Sequence, residues 1–184
     1  GNASSQFQLG NAYRVGQGVN QDNTEALRWY KLAAEQGNTS ALLMLGASYQ
    51  YGNGVDENFI EAVKWYKLAA AKDNIDAQYQ LGQIYRFMRG LSQDFFEATR
   101  WYTLAAENGH PDSQYNLGTM YWDGRGAPQD YVLAYKWLTL AAASGHANAL
   151  AMCETITHEM TANQISNAQR MIGEFQGKDR KTSE

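Results

Sequence analysis

Residues 37–46 read GNTSALLMLG, and the pattern of this stretch returns every 36 residues along the chain. It occurs as GNASSQFQLG at 1–10, DNIDAQYQLG at 73–82 and GHPDSQYNLG at 109–118, and a degenerate copy, GHANALAMCE, begins at residue 145. Tryptophan recurs in the same register, at Trp29, Trp65, Trp101 and Trp137. A fixed period of this length predicts a solenoid built from repeated units.

Each repeat predicts two helices. The first is expected to open at a small capping residue, and these residues are Ser4, Ser40, Asp76, Asp112 and Asn148. A glycine pair such as Gly52 and Gly54 then ends it. The second helix is expected to begin at Asp22, Asn58, Asp94 or Asp130, with an acid at capping-box spacing in three repeats. Glycine inside a helix costs ~1 kcal/mol, so we expect a close helix approach at Gly10, Gly46, Gly82 and Gly118.

The end of the chain departs from the repeat. We predict a short helix over about 148–160, a terminal helix over about 162–176 and a tail over 178–184. Thr161 and Gln164 have capping-box spacing. One apolar face is predicted for the terminal helix, formed by Ile165, Ala168, Met171, Ile172 and Phe175. The predicted domains are repeats at 1–36, 37–72, 73–108 and 109–144, then a degenerate repeat with a capping helix at 145–177.

Composition excludes several classes of protein. The chain has 184 residues with a net charge of −4, whereas proteins that bind a nucleic-acid backbone usually carry a positive balance. No run approaches the ~18 apolar residues of a membrane helix. A single cysteine, Cys153, rules out an internal disulfide framework. We therefore predict neither nucleic-acid binding nor membrane insertion.

The pattern A-x-x-x-L-G-x-x-Y-x-x-G-x-G-V, followed by D-x-x-x-A-x-x-W-Y-x-x-A-A-x-x-G, resembles the Sel1-like repeat proteins, relatives of the tetratricopeptide repeats. The resemblance covers about residues 1–160. It implies an all-α, right-handed solenoid of antiparallel helix pairs with a scaffold or adaptor role, and many bacterial members. Some members carry a cysteine pair in each repeat, which this chain lacks. It also departs at Met88, which replaces a loop glycine, and at Leu138, which replaces a tyrosine.

No constellation of catalytic or metal-binding residues is visible, and we predict no enzyme activity, metal or cofactor. His110 and His146 occupy the same turn position and are expected to be exposed loop side chains. Cys153 replaces a repeat leucine, so we expect a buried, unreactive thiol. Gly16-Gln17-Gly18 follows a helix and lacks the lysine of a phosphate-binding loop, so helix termination is the better interpretation.

The first helix carries residues that vary between repeats while the framework recurs, which is how a solenoid separates recognition from stability. We predict that these residues bind a peptide or partner protein in a concave groove. They are Gln8, Asn11, Arg14, Met44, Gln50, Tyr51, Gln80, Gln83, Arg86, Phe87, Asn116, Thr119 and Trp122. Most of the affinity is expected from Arg14, Tyr51, Arg86 and Trp122, and specificity from the loop around Phe87 and Met88.

Several alternatives stay open. Val15, Tyr51 and Phe87 could pack against the following repeat instead of a partner. Recognition on the convex face would involve second-helix charges such as Lys64 and Arg100. A helical-repeat nucleic-acid binder and a structural subunit of a bacterial envelope assembly are the alternative functions.

The first residues match an internal turn, since Gly1-Asn2 lies in register with Gly37-Asn38. We therefore expect the natural protein to have upstream repeats or a leader. An unshielded first helix would expose apolar surface near Phe7 and favour a weak dimer. The sequence favours no cellular location: it is consistent with the periplasm, with secretion and with the cytoplasm.

Overall fold

The computed structural model describes residues 1–87 and 93–182. The regular secondary structure of these residues is helical, and they contain no strand. This confirms the predicted all-α repeat fold. The helices are α1 (Ala3–Val15), α2 (Asn23–Glu35), α3 (Thr39–Tyr51), α4 (Phe59–Ala70), α5 (Ile75–Phe87), α6 (Phe95–Glu107), α7 (Pro111–Asp123), α8 (Tyr131–Ala143), α9 (Ala149–Thr157) and α10 (Ala162–Thr182).

The chain divides into two compact units, unit 1 over Gly1–Gln93 and unit 2 over Asp94–Glu184. In unit 1, α1 packs against α2 and α3 against α4, and each second helix also contacts the first helix that follows it. In unit 2, α7 lies between α6 and α8, and α8 contacts both α9 and α10. The helix pair is thus the packing unit, as the sequence predicted.

The helix caps agree with the sequence for the second helices and correct it for the first. Asp22, Asn58, Asp94 and Asp130 cap α2, α4, α6 and α8 as predicted. The first helices are capped two positions earlier than predicted, by Asn2, Asn38, Asn74 and His110. Each accepts the backbone N–H three residues ahead, so the predicted Ser4 and Ser40 fall inside the first turn. Asn148 makes no side-chain cap bond.

The acids at the third position of α2, α4 and α6 form ion pairs within their own helices. Glu25 pairs with Arg28 at 3.4 Å and Glu97 with Arg100 at 3.4 Å, and Glu61 pairs with Lys64 in the same way. The predicted capping box expected the acid to reach back to the cap residue. In α2 and α4 the N–H of the cap residue donates to the preceding helix instead, from Asp22 to the carbonyl of Tyr13 and from Asn58 to that of Tyr49.

The helix pairs approach most closely at the repeated glycines. A methyl group at Gly46 would lie 2.5 Å from the ring of Tyr66, and one at Gly10 would lie 2.7 Å from the ring of Tyr30. At Gly118 the contact is Leu138, the residue that replaces the repeat tyrosine, at 2.7 Å. The predicted close approach is confirmed at these three positions, because no side chain larger than hydrogen fits under the facing residue.

The C-terminal helix does not follow the repeat. A second helix in register would begin near residue 167, but α10 begins at Ala162 and packs on α8. Its capping box is confirmed, since Gln164 accepts from the backbone N–H of Thr161 at 2.8 Å and Thr161 accepts from that of Gln164 at 3.3 Å. The helix continues to Thr182, beyond the predicted end, so residues 178–182 of the predicted tail are helical. No helix among the described residues is long and apolar enough to cross a membrane.

Candidate partner-binding site

Five of the predicted binding residues meet in one pocket of unit 1. This pocket lies between α3 and α5, has a volume of about 320 Å³, and is called here the α3–α5 pocket. It is lined by Gln50, Tyr51, Tyr79, Gln80, Gln83, Ile84 and Phe87. Tyr79 and Ile84, which are not among the predicted binding residues, complete the lining. The sequence signal for Tyr79 was an aromatic residue at the same repeat position as Phe7 and Tyr115.

The floor of the pocket is held by a chain of hydrogen bonds. The hydroxyl of Tyr66 in α4 donates to Oε1 of Gln50 at 2.6 Å, and Nε2 of Gln50 donates to the hydroxyl of Tyr51 at 3.2 Å. Burial raises the pKa of Tyr66, so its hydroxyl stays protonated and remains a donor at neutral pH. Gln50 is therefore buried and fixed in orientation, and it presents Tyr51 to the pocket.

The walls of the pocket are aromatic and exposed. Tyr51 and Phe87 are 55% and 54% exposed, so neither is packed away as the alternative prediction held. The guanidinium of Arg86 lies 5.2 Å from the centre of the Phe87 ring, and Nε2 of Gln83 donates to the Tyr79 hydroxyl at 2.7 Å. Met88, the other residue predicted to shape this loop, lies outside the described residues.

The predicted residues of α1 and the start of α3 do not join this pocket. Gln8 and Arg14 are exposed on α1, as is Val15. Asn11 is half-buried and accepts a hydrogen bond from the Tyr30 hydroxyl at 2.8 Å. Met44 is also half-buried, and its carbonyl accepts from Ser48.

In unit 2 the predicted residues are more deeply packed. Thr119 is buried and donates to the carbonyl of Asn116 at 2.8 Å, because α7 is covered by both α6 and α8. Trp122 is half-buried against a cluster formed by Ala134, Leu138, Cys153 and Ile156. Gln50 and Thr119 are therefore buried, although the sequence predicts both as residues that bind a partner in the groove.

The two histidines also differ from the prediction of exposed loop side chains. Nδ1 of His110 accepts the Ser113 N–H at 3.1 Å and caps α7. The ring of His146 stacks on Tyr115 at 4.1 Å, and its Nε2 lies 3.6 Å from Asp112. His110 therefore acts as a helix cap, and His146 packs on α7, the first helix of the preceding repeat.

Cys153 is buried, as predicted, and burial raises the pKa of its thiol. The thiol is therefore protonated and poorly nucleophilic at neutral pH. Within 1–87 and 93–182, no group of three or more histidine, cysteine, aspartate or glutamate side chains is arranged to hold a metal ion.

A family model described as Sel1 repeat matches the chain over residues 3–38, 39–74, 75–110 and 111–146. The four matched segments are consecutive and begin at the first residues of α1, α3, α5 and α7. No curated protein matches the chain significantly.

Solved structures show the same likeness. A protective antigen present in uropathogenic Escherichia coli strains, described as displaying an SLR fold, is 41% identical over 79% of this chain, with a TM-score of 0.76. A Sel1 repeat protein from Oxalobacter formigenes is 34% identical over 83% of this chain, with a TM-score of 0.78. The chain spans 31% of the first protein and 63% of the second. Helicobacter pylori cysteine rich protein B, 20% identical over 72% of this chain and 95% of its own, with a TM-score of 0.56, shares the fold.

Proposed function

The chain belongs to the Sel1 repeat family, whose fold generally serves as a protein-interaction scaffold, and we propose that it binds an extended segment of a partner protein on the first helices of unit 1. In this proposal the chain is a non-enzymatic scaffold or adaptor. The observation that carries it is the α3–α5 pocket, in which variable first-helix residues form one concave surface over a fixed framework.

The pocket has the chemistry of a peptide site. Its amides and phenol hydroxyls supply both hydrogen-bond donors and acceptors, which a peptide group requires, and its exposed rings offer apolar area. Exposed Tyr51 and Phe87 are the anchors that such interfaces favour. All the lining residues are neutral, so we expect an uncharged side chain of the partner to enter, since a buried charge would lack a counter-ion.

The scaffold proposal is tested by affinity capture with the intact chain from an extract of its source organism, followed by mass spectrometry. The informative variant is Tyr51→Ala with Phe87→Ala, because both side chains are exposed and their loss should leave folding intact. We expect recovery of the partner to fall at least tenfold, equivalent to about 1.4 kcal/mol. Trp122→Ala is a poor choice, because Trp122 packs on the core cluster of unit 2.

The chain offers a matched control on the second helices of the same unit. Ile60 and Leu68 in α4 are 55% and 51% exposed, so Ile60→Ala with Leu68→Ala removes two apolar side chains of similar exposure. The control variant should capture the partner as well as the parent does. If the control loses the partner while the pocket variant keeps it, recognition is on the second-helix side and the proposed site is wrong.

A further inference from the structure

A second pocket lies on α6, away from the first-helix residues discussed above. Phe96, Arg100 and Leu104 follow one another at intervals of four residues and therefore share one face of the helix. Ala127 and Pro128, in the loop between α7 and α8, close the other side. The pocket, called here the α6 groove, has a volume of about 470 Å³. Phe96 is 69% exposed, although nothing in the helix pair requires an aromatic residue there.

The loop that closes the α6 groove is fixed against α6. A methyl group at Gly126 would lie 2.1 Å from the carbonyl oxygen of Phe95, so the loop backbone rests directly on the start of the helix. The hydroxyl of Thr99 lies 3.5 Å from the carbonyl of Arg125, whose guanidinium lies over the Phe95 ring. The groove is therefore preformed, so its loop has little conformational freedom to lose when a ligand binds.

The same chain shows a helix packed on an overlapping face of the next second helix. One repeat later, Lys136 and Leu140 of α8 occupy the positions of Arg100 and Leu104, and α10 packs over them. Leu140 is 5% exposed, whereas Leu104 is 37% exposed. Phe175 of α10 lies 5.5 Å from the ring of Trp137, in an edge-on contact, and 5.0 Å from Nζ of Lys136.

The chemistry of α10 defines the ligand. Its buried face contains Ala168, Ile172 and Phe175, and Glu174 lies with Phe175 beside Lys136. On α6 the corresponding cation is Arg100, which is exposed; its guanidinium pairs with Glu97 at 3.4 Å and has further N–H donors for a second carboxylate. A second copy of the chain does not supply such a helix, because α10 already uses its apolar face on α8 and Ala168 is fully buried there.

We propose that the α6 groove is a second docking site, which binds an amphipathic helix of a partner protein. The helix has an aliphatic side chain and an aromatic side chain one turn apart, with a carboxylate next to the aromatic residue. This site does not depend on the α3–α5 pocket. It would allow one chain to hold two partners, as a scaffold requires.

The probe is a synthetic peptide with the sequence of residues 162–177, held helical by a staple on its polar face because a free helix of this length is marginal in water. Binding to the intact chain is followed by fluorescence anisotropy. We expect saturable binding that weakens at least tenfold in Leu104→Glu. The matched control is Leu150→Glu, at a side chain 63% exposed on α9, which should bind normally. A peptide with alanine in place of Ile172 and Phe175 should not bind.

The location of the peptide is read from a photoreactive phenylalanine placed at position 175 of the probe. Cross-links to 96–104 or 126–128 support the α6 groove. Cross-links to 132–140 would mean that the peptide displaces the chain's own α10, and would overturn the proposal. Equal melting temperatures of the parent, Leu104→Glu and Leu150→Glu confirm that the variants are folded.

Two further results separate this proposal from its neighbours. The Tyr51→Ala, Phe87→Ala variant should bind the peptide normally whether or not the first-helix site is real, and a loss there would overturn the independence of the groove. Sedimentation tests whether the parent chain associates with itself through the α6 groove. We expect the parent and Leu104→Glu to sediment alike. Association of the parent that Leu104→Glu removes would identify the occupant as a second copy and overturn the partner helix.

Discussion

Single side chains bridge the end of the first helix to the start of the second. The last carbonyls of a helix have no partner within it, and in three repeats a glutamine amide donates to one of them. The pairs are Gln21 with Arg14, Gln93 with Arg86 and Gln129 with Trp122, at 2.9, 2.7 and 2.7 Å. The second repeat has Glu57 at this position, and an ionised carboxylate cannot donate.

Replacing Glu57 with glutamine should restore the missing bond to the carbonyl of Gln50. A hydrogen bond of this kind contributes about 0.5–1.5 kcal/mol, so we expect Glu57→Gln to raise the melting temperature by about 2–4 °C. Thermal unfolding followed by circular dichroism measures this. The reverse change, Gln129→Glu, should lower the melting temperature by a similar amount. If both variants have the same melting temperature as the parent, the bridge does not contribute to stability.

At the scale of the helices, the close approach at the repeated glycines is a matter of space and not of helix propensity. Alanine is the better helix former by ~1 kcal/mol. At Gly46, however, the ring of Tyr66 occupies the volume that a methyl group would need. Gly173 in α10 has no atom within 4 Å of the same position. Substitution by alanine should therefore change the free energy of unfolding in opposite directions at the two glycines.

We expect Gly46→Ala to lower the free energy of unfolding by about 1–3 kcal/mol, because overpacking shifts Tyr66 and its bond to Gln50. Gly173→Ala should raise the same quantity by about 0.5–1 kcal/mol. Urea denaturation of the two variants and the parent gives both values. A stabilised Gly46→Ala would contradict the close approach of α3 and α4.

At the scale of the whole molecule, α10 covers an apolar face of α8. The helix starts early relative to the repeat and covers Trp137 and Leu140, which are 4% and 5% exposed. The corresponding Trp101 and Leu104 of α6 are more exposed. α10 therefore covers apolar surface of α8 that is left partly exposed on α6.

Removing the Phe175 ring should expose this surface. Replacing a fully buried phenylalanine with alanine costs ~3–5 kcal/mol of stability. Phe175 is only half-buried. We therefore expect Phe175→Ala to lower the free energy of unfolding by about 1–2 kcal/mol and to shift tryptophan emission to longer wavelength as Trp137 gains water contact. The control, Phe96→Ala, removes an aromatic ring that is 69% exposed and should change neither measurement. Equal losses in the two variants would contradict the capping role of α10.

The repeat period, the second-helix caps and the capping box of α10 followed from the amino-acid sequence alone. The caps depend on residues three positions apart: Asp94 accepts the N–H of Glu97, and Thr161 accepts that of Gln164. Close packing at Gly46 could also be predicted. Glycine destabilises a helix interior, so a glycine that recurs there indicates that a neighbouring helix leaves no room for a side chain. The caps are local, and the period and the helix glycines recur along the chain, so the order of residues reveals all of them.

Which first-helix side chains are available to a partner was decided only by the tertiary structure. Gln50 and Tyr51 are adjacent in sequence, yet the first is buried under Tyr66 and the second is 55% exposed. Helical periodicity places a residue on a face but does not say which neighbouring helix crosses that face. The tertiary structure also decided the position of α10 on α8, because that position depends on how two surfaces distant in sequence fit together.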